Sequence, residues 1–190
     1  MKINYIRYNW FCYGAITLFS HLFLMALTAY CKGVSEFEPL TNLLTGTLAI
    51  QTFITGSLIS FLVLLFVMEL FIRKGQKHPL KNWIKFLSST YRIRKFCRFS
   101  TTVELAYHLN SRSIHKIANR SLRTLTVDYT DKQAIFSILL PNNHDAKKRW
   151  TEMFLDIKTE LNHIEPDFIF ADITFEKGDL YYSKAQKMKK

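Results

Sequence analysis

Two stretches decide the fold: residues 8–31, YNWFCYGAITLFSHLFLMALTAYC, and residues 39–68, PLTNLLTGTLAIQTFITGSLISFLVLLFVM. Neither contains a formally charged residue. A bilayer core of roughly 30 Å needs about 20 apolar residues in helical form, so each run is long enough to cross it. The reading predicts two transmembrane helices, over residues 10–30 and 47–71, joined as an N-terminal hairpin. A cleavable signal is the competing reading of the first run, because a basic segment precedes it. Tyr13, His21 and Tyr30 interrupt that run, and it is longer than an ordinary signal h-region. Tyr30 is also too bulky for a lipobox before Cys31. The run therefore reads as a retained helix, with Trp10 and Tyr13 at one interface and Tyr30 at the other.

Charge outside the runs gives the hairpin a direction. Arg73, Lys74, Lys77, Lys81, Lys85, Arg92, Arg94, Lys95 and Arg98 follow the second run with no acid among them. Lys2 and Arg7 precede the first run, whereas the intervening loop, read as residues 32–45, holds Lys32 against Glu36 and Glu38. The positive-inside rule then puts both termini in the cytoplasm, in a multi-pass protein of the cell membrane. It also accounts for most of the net charge of +11, since residues 99–190 carry fourteen bases against twelve acids. A basic chain invites a nucleic-acid reading. Here the excess sits where topology needs it, so anionic lipid of the inner leaflet is the favoured contact and nucleic acid the less favoured one.

The reading expects an α+β membrane protein in four parts: the hairpin (1–72), a basic amphipathic juxtamembrane segment (73–99), a small cytosolic domain (100–183) and a frayed basic tail (184–190). After Pro79, apolar and basic residues segregate as in a helix lying on the inner leaflet. A helix over residues 101–110 is expected, capped by Ser100 or Thr101 with Glu104 reaching back. Farther on the period changes. Residues 125–129 and 134–140 alternate about a turn and form a β-hairpin. Asn142, Asn143, His144 and Asp145 then cap a helix to Ile164, with Trp150, Met153, Phe154, Ile157, Leu161 and Ile164 on its apolar face. Residues 167–176 form a strand carrying Ile169, Ala171, Ile173 and Phe175 on one face, and Lys177-Gly178-Asp179 turns into a last strand. The order is antiparallel β-β-α-β-β.

Inside the runs, Thr52, Gly56 and Ser60 recur every four residues and form a small-residue face suited to close helix packing. Packing within the hairpin itself is the favoured use, ahead of a dimer seam. His21 is the one intramembrane ionisable residue of the first run; a neutral imidazole bonded to Thr52 or Ser57 accounts for it. Glu69 stands four residues before Arg73, an i,i+4 pair.

Chemistry-bearing patterns are sparse. The six glycines are isolated and no Gly-Lys-Ser/Thr triplet occurs, so no phosphate-binding loop for a nucleotide is present. Asp167, Asp172 and Glu176 invite comparison with a nuclease strand, but Glu176 and Lys177 are adjacent and point to opposite faces. Asp128, Asp131 and Asp145 flank turns, where aspartate serves backbone donors. His108 and His115 fall on one side of a helix without a third ligand. Cys12, Cys31 and Cys97 have no metal spacing; Cys31 alone would face an oxidising compartment. No catalytic, cofactor or metal residue is assigned.

The arrangement resembles the front end of the FtsK/SpoIIIE-type coupling ATPases of Gram-positive conjugative elements. Those begin with two transmembrane helices, a basic juxtamembrane segment and a small sheet-and-helix domain before the motor. The matching region is residues 122–182, with the β-hairpin at 125–140, the helix to Ile164 and the strand at 168–175. The likeness is of element order, and this sequence stops where the motor's phosphate-binding loop would begin. It implies a stand-alone adaptor, or a split or truncated relative, and carries over no catalytic residue. The expected function is a non-enzymatic membrane-anchored adaptor or scaffold for a protein partner, in a DNA-transfer or secretion apparatus. The alternative is a small oligomeric channel-forming or effector protein, using His21 and the Thr52/Gly56/Ser60 face.

Overall fold

Helix α1 runs from Lys2–Lys32 and α2 from Glu38–Ile72, each longer than its apolar run alone dictates. Pro39 falls in the first turn of α2, where its fixed φ and missing N–H suit a helix start. The computed structural model describes residues 2–32, 38–99, 109–176 and 178–188, so the middle of the loop between α1 and α2 lies outside the described residues. The chain divides into two compact units, residues 9–72 and residues 1–8 with 73–190.

In the first unit α1 and α2 pair antiparallel. Trp10 meets Phe61 at 5.6 Å between ring centroids, Gly14 meets Leu62, and Thr55 Oγ1 lies 3.8 Å from Met25 Sδ. The inward residues are Gly14, Leu18, His21, Met25 and Thr28 on α1, and Thr55, Leu58, Leu62, Leu65 and Glu69 on α2. Both series step by three and four, the spacing of a helix–helix seam. A Cβ at Gly14 would come within 2.7 Å of Leu62 Cδ2, which makes Gly14 the point of close approach. Thr52, Gly56 and Ser60 are not in this seam. All three are exposed, and a Cβ at Gly56 would meet nothing within 4 Å. The expectation that they pack the hairpin is corrected: Thr55, Leu58 and Leu62 fix the phase of α2, and Gly56 stands one residue further round. Many of the other outward residues are large and apolar, with Phe19 75% and Phe53 77% exposed. Both helices are long and apolar enough to cross a membrane.

In the second unit, α3 (Pro79–Phe96), α4 (Leu109–Ser121), α5 (His144–Glu152) and α6 (Phe154–Ile164) accompany an antiparallel sheet. Its strands are β1 (Thr126–Tyr129), β2 (Gln133–Leu139), β3 (Phe168–Phe170), β4 (Thr174–Phe175) and β5 (Leu180–Lys187). The spatial order is β1-β2-β5-β3, with β4 also paired to β5. Val127, Tyr129, Ala134, Phe136, Ile138, Ala185, Phe168 and Phe170 are buried and form the core with Trp150, Ile157 and Leu161. The chain is thus an α+β protein with an antiparallel sheet, as its sequence periods indicate.

Four local departures have physical causes. The helix expected from Asn143 to Ile164 is broken at Met153, which ends α5 and begins α6; Asn143 does cap it, its Oδ1 accepting from Ala146 N–H at 2.9 Å. The strand expected over 167–176 is split by a bulge. Phe170 pairs with Ala185 but Thr174 with Tyr182, so three residues of one strand oppose two of the other, and Ser183 Oγ donates to Ala171 O across the gap. Lys184 to Lys187 belong to β5 instead of a frayed tail, because Ala185 packs inward against Ala134. Last, α4 was not foreseen, and the helix expected over 101–110 falls mostly on residues outside those described, as do Ser100 and His108.

Candidate functional site

The nine bases between Arg73 and Arg98 do not form one surface. Three of them build the domain. Arg73 is 2% exposed; its Nη2 lies 2.6 Å from Asp128 Oδ1 and its Nη1 donates to Tyr129 O at 2.7 Å. Arg94 Nε donates to Leu125 O at 2.9 Å, and its guanidinium sits 4.2 Å from the centre of the Tyr8 ring. Between these, Thr90 Oγ1 accepts from Val127 N–H at 3.1 Å. Leu125, Val127 and Tyr129 are alternate residues, so their main-chain groups point to the free side of β1. Side chains of α3 and of Arg73, in the turn before it, thus satisfy an edge strand that would otherwise stay open. The third base, Lys85, is 2.5 Å from Glu165 Oε2 and lies near the rings of Tyr129 and Phe168. Assigning Arg73, Lys85 and Arg94 to a membrane surface is therefore corrected: the carbonyls and carboxylates of this domain hold them.

Lys74, Lys77, Lys81, Arg92, Lys95 and Arg98 are exposed. The burial of α3 shows why. Asn82, Phe86, Ser89, Thr90 and Ile93 face the sheet. Opposite them Leu80, Ile84 and Tyr91 are exposed and Leu87 half-buried, at the four-three-four spacing of a second apolar stripe. Lys81, Arg92 and Lys95 flank that stripe. The helix is apolar on two sides, one covered by its own domain and one open.

Near the start of α3 lies a cleft of about 180 Å³. Lys77, His78, Lys81, Asn82 and Lys85 line one side, with Thr130 and Asp131 from the β1–β2 turn, Asp167 and Phe168 at the start of β3, and Lys187 at the end of β5. Asp131 braces the wall. Its Oδ2 accepts from Lys77 N–H at 2.6 Å and its Oδ1 from Asn82 Nδ2 at 3.1 Å. The Lys77 N–H, helped by Asn82 and the His78 N–H, holds the Asp131 carboxyl below its ordinary value. The sequence marked Asp131 as a turn residue but gave no sign that Lys187, fifty-six residues later, would join it. Antiparallel pairing of β2 with β5 does this, setting Gln186 opposite Gln133.

The remaining sequence candidates stay apart. His21 lies in the hairpin seam with Nδ1 buried and without a hydrogen-bond partner among the described residues. Ser57, a proposed partner of His21, donates to Phe53 O of its own helix. Asp172 pairs with Lys158 at 2.6 Å on the surface. The His115 ring stacks on Phe99 at 5.9 Å. Cys97, the residue that caps the C-terminal end of α3, is buried, and desolvation, with Glu160 nearby, pushes its thiol well above the ordinary value. Among the described residues no three His, Cys, Asp or Glu are grouped to hold a metal ion.

No family model, no curated protein and no solved structure matches this chain.

Proposed function

We propose that this protein is a non-enzymatic, membrane-anchored adaptor whose hairpin lies in the cell membrane and whose α+β domain meets a protein partner at the inner leaflet. The observation that carries the reading is the exterior of residues 9–72, where large apolar side chains such as Phe19, Phe23, Phe53 and Phe71 are exposed along both helices. Water penalises such a surface and lipid does not. The bases after Ile72, set against the acids between the helices, support cytoplasmic termini. The open stripe of α3, with Lys81, Arg92 and Lys95 beside it, suits a helix lying on anionic lipid. The resemblance to the membrane end of FtsK/SpoIIIE-type coupling ATPases supports a DNA-transfer or secretion setting. With Arg73, Lys85 and Arg94 engaged inside the domain, the basic surface left for nucleic acid is smaller than the sequence suggests.

Protease treatment of oriented vesicles tests the anchor. The domain is expected to be digested from the cytoplasmic side alone, and digestion from the outer side would sink the orientation. Crosslinking in cells followed by mass spectrometry tests the adaptor role, which fails if crosslinks join the chain to no other protein.

A second reading, self-association into a channel or effector, draws on the exposure of Thr52, Gly56 and Ser60 outside the hairpin seam. His21 lies in the seam and not on that face, so a pore lined by both would require the hairpin to open. Conductance in liposomes that disappears in His21→Leu would favour this reading; unaltered membrane integrity on overexpression would count against it.

A further inference from the structure

The lysine-lined cleft of the domain is more specific than a basic surface, and its contents follow from its walls. Lys77, Lys81 and Lys187 bring three ammonium groups to one depression from the α2–α3 turn, from α3 and from β5, and no hydrogen bond or ion pair engages them within the described residues. Lys85 forms the inner wall, already paired with Glu165. Two carboxylates line the same space. Asp131 directs its oxygens at the Lys77 N–H and the Asn82 amide, so it shapes the wall and draws no lysine away. Asp167 is the remaining acid and lowers the attraction of the site for anions. The positive end of α3 adds nothing here, because the Asp131 carboxylate already faces it and takes the Lys77 and His78 N–H groups; the lysine side chains carry the charge. The polarity of the cleft is that of an anion site.

Size narrows the ligand. A space of about 180 Å³ lies below the roughly 300–1,000 Å³ of small-molecule pockets. It accommodates one tetrahedral anion with part of its hydration, while the rest of any larger molecule stays outside. We infer that the cleft binds a single phosphate group, carried by an anionic lipid head group or free in solution. The inference rests on the proposed function only for the lipid source; the phosphate chemistry stands on the cleft itself. A phosphate oxygen there takes charge-assisted hydrogen bonds from Lys77, Lys81 and Lys187. In the lipid case, these bonds fix the position of the domain on the leaflet, which a diffuse basic face does not.

Lysine acylation footprinting of the full chain in nanodiscs tests the inference. Three samples are compared: phosphatidylcholine alone, phosphatidylcholine with inorganic phosphate, and phosphatidylcholine with phosphatidic acid. Protection of Lys77, Lys81 and Lys187, with the exposed Lys116 and Lys148, which lie outside α3, unchanged, is the expected result. Protection by phosphatidic acid alone assigns the lipid source, and protection by inorganic phosphate as well assigns a free anion. Absence of protection in both, or equal protection of Lys116 and Lys148, overturns the inference whether or not the membrane anchor and its partner hold. Lys81→Gln and Lys187→Gln, both exposed and outside the core, are each expected to weaken binding about fivefold, and Asp167→Asn to strengthen it by a similar factor. An Asp167→Asn protein with weaker binding would show that this carboxylate contacts the ligand as an acceptor and would refute an anion as that ligand.

Discussion

The two halves of this chain differ in what they turn outward. In residues 9–72 the outward residues include Phe19, Phe23, Phe53 and Phe71, and the inward ones mix Leu18, Met25, Leu58, Leu62 and Leu65 with Gly14, Thr28, Thr55 and Glu69. In residues 73–190 the inward side chains are Phe86, Tyr129, Phe136, Trp150 and Phe170, and most bases and acids lie outside. The same alphabet and the same helix period serve both halves; on the proposed reading the difference is one of solvent. In the domain, burial of apolar surface supplies the driving force. With the hairpin in lipid, as proposed, the seam would hold by shape, because such a surrounding is as apolar as leucine and rewards close contact and satisfied polar groups instead.

That contrast can be broken most forcefully at Arg73, the charge buried where the domain should be apolar. Arg73→Ala leaves the Tyr129 carbonyl without its donor and breaks the ion pair of Asp128, which keeps hydrogen bonds from the Tyr129 N–H and Asn4 Nδ2, and is expected to destabilise the domain by about 3 kcal/mol. Denaturant unfolding in mild detergent, with hydrogen exchange on β1, measures it; Arg73→Lys should recover only part, since an ammonium does not reach both acceptors as a planar fork does. The next effect separates two glycines of the hairpin. Gly14→Leu overpacks the seam against Leu62 and should cost about 1–3 kcal/mol, whereas Gly56→Leu, with open space around it, should leave pairing of α1 with α2 within about 0.5 kcal/mol of the parent. Thermal loss of helicity in detergent compares them, and equal losses would place the seam elsewhere. On the water side of the domain, Asn143→Ala removes the α5 cap and should cost about 1 kcal/mol by the same unfolding assay.

The smallest expected effect is pH-dependent. Asp131 has an ordinary value of 3.8 that is lowered in the folded chain. A carboxylate with a depressed folded value contributes stability above its unfolded value and loses it as pH falls through the folded one. Asp131→Asn should therefore lower stability slightly at neutral pH and flatten the acid limb of the stability–pH profile below about pH 4. An acid limb identical to the parent's would remove Asp131 from its bracing role.

Length, charge and periodicity made the outline of both units readable. Two uncharged runs stood out, and alternation at 125–140 and 180–183 marked strands that the fold contains. What stayed hidden depends on contacts between distant residues. A glycine at a four-residue spacing looks like a packing site, yet the phase of a helix pair is set by its bulky residues, so Gly14 is the close contact and Gly56 is not. The bases after Ile72 read as one block because their spacing does not reveal that Arg73, Lys85 and Arg94 turn inward. Lys187 could not be joined to Lys77 without the register of β2 on β5. The bulge at 171–173 has no mark in its composition, since Ile173 and Thr174 continue the alternation that the backbone interrupts.

The closed edge of β1 carries a consequence for crowding. Chains held in a plane meet one another far more often than chains diluted in three dimensions, and a bare strand edge under those conditions seeds sheet-to-sheet growth. Arg94 and Arg73 occupy two carbonyl acceptors, and Thr90 one N–H donor, that such growth would use. In the proposed setting, many copies can therefore gather on a small patch of surface and remain separate folded units, so that whatever brings them together is chosen by side chains and not by an open backbone.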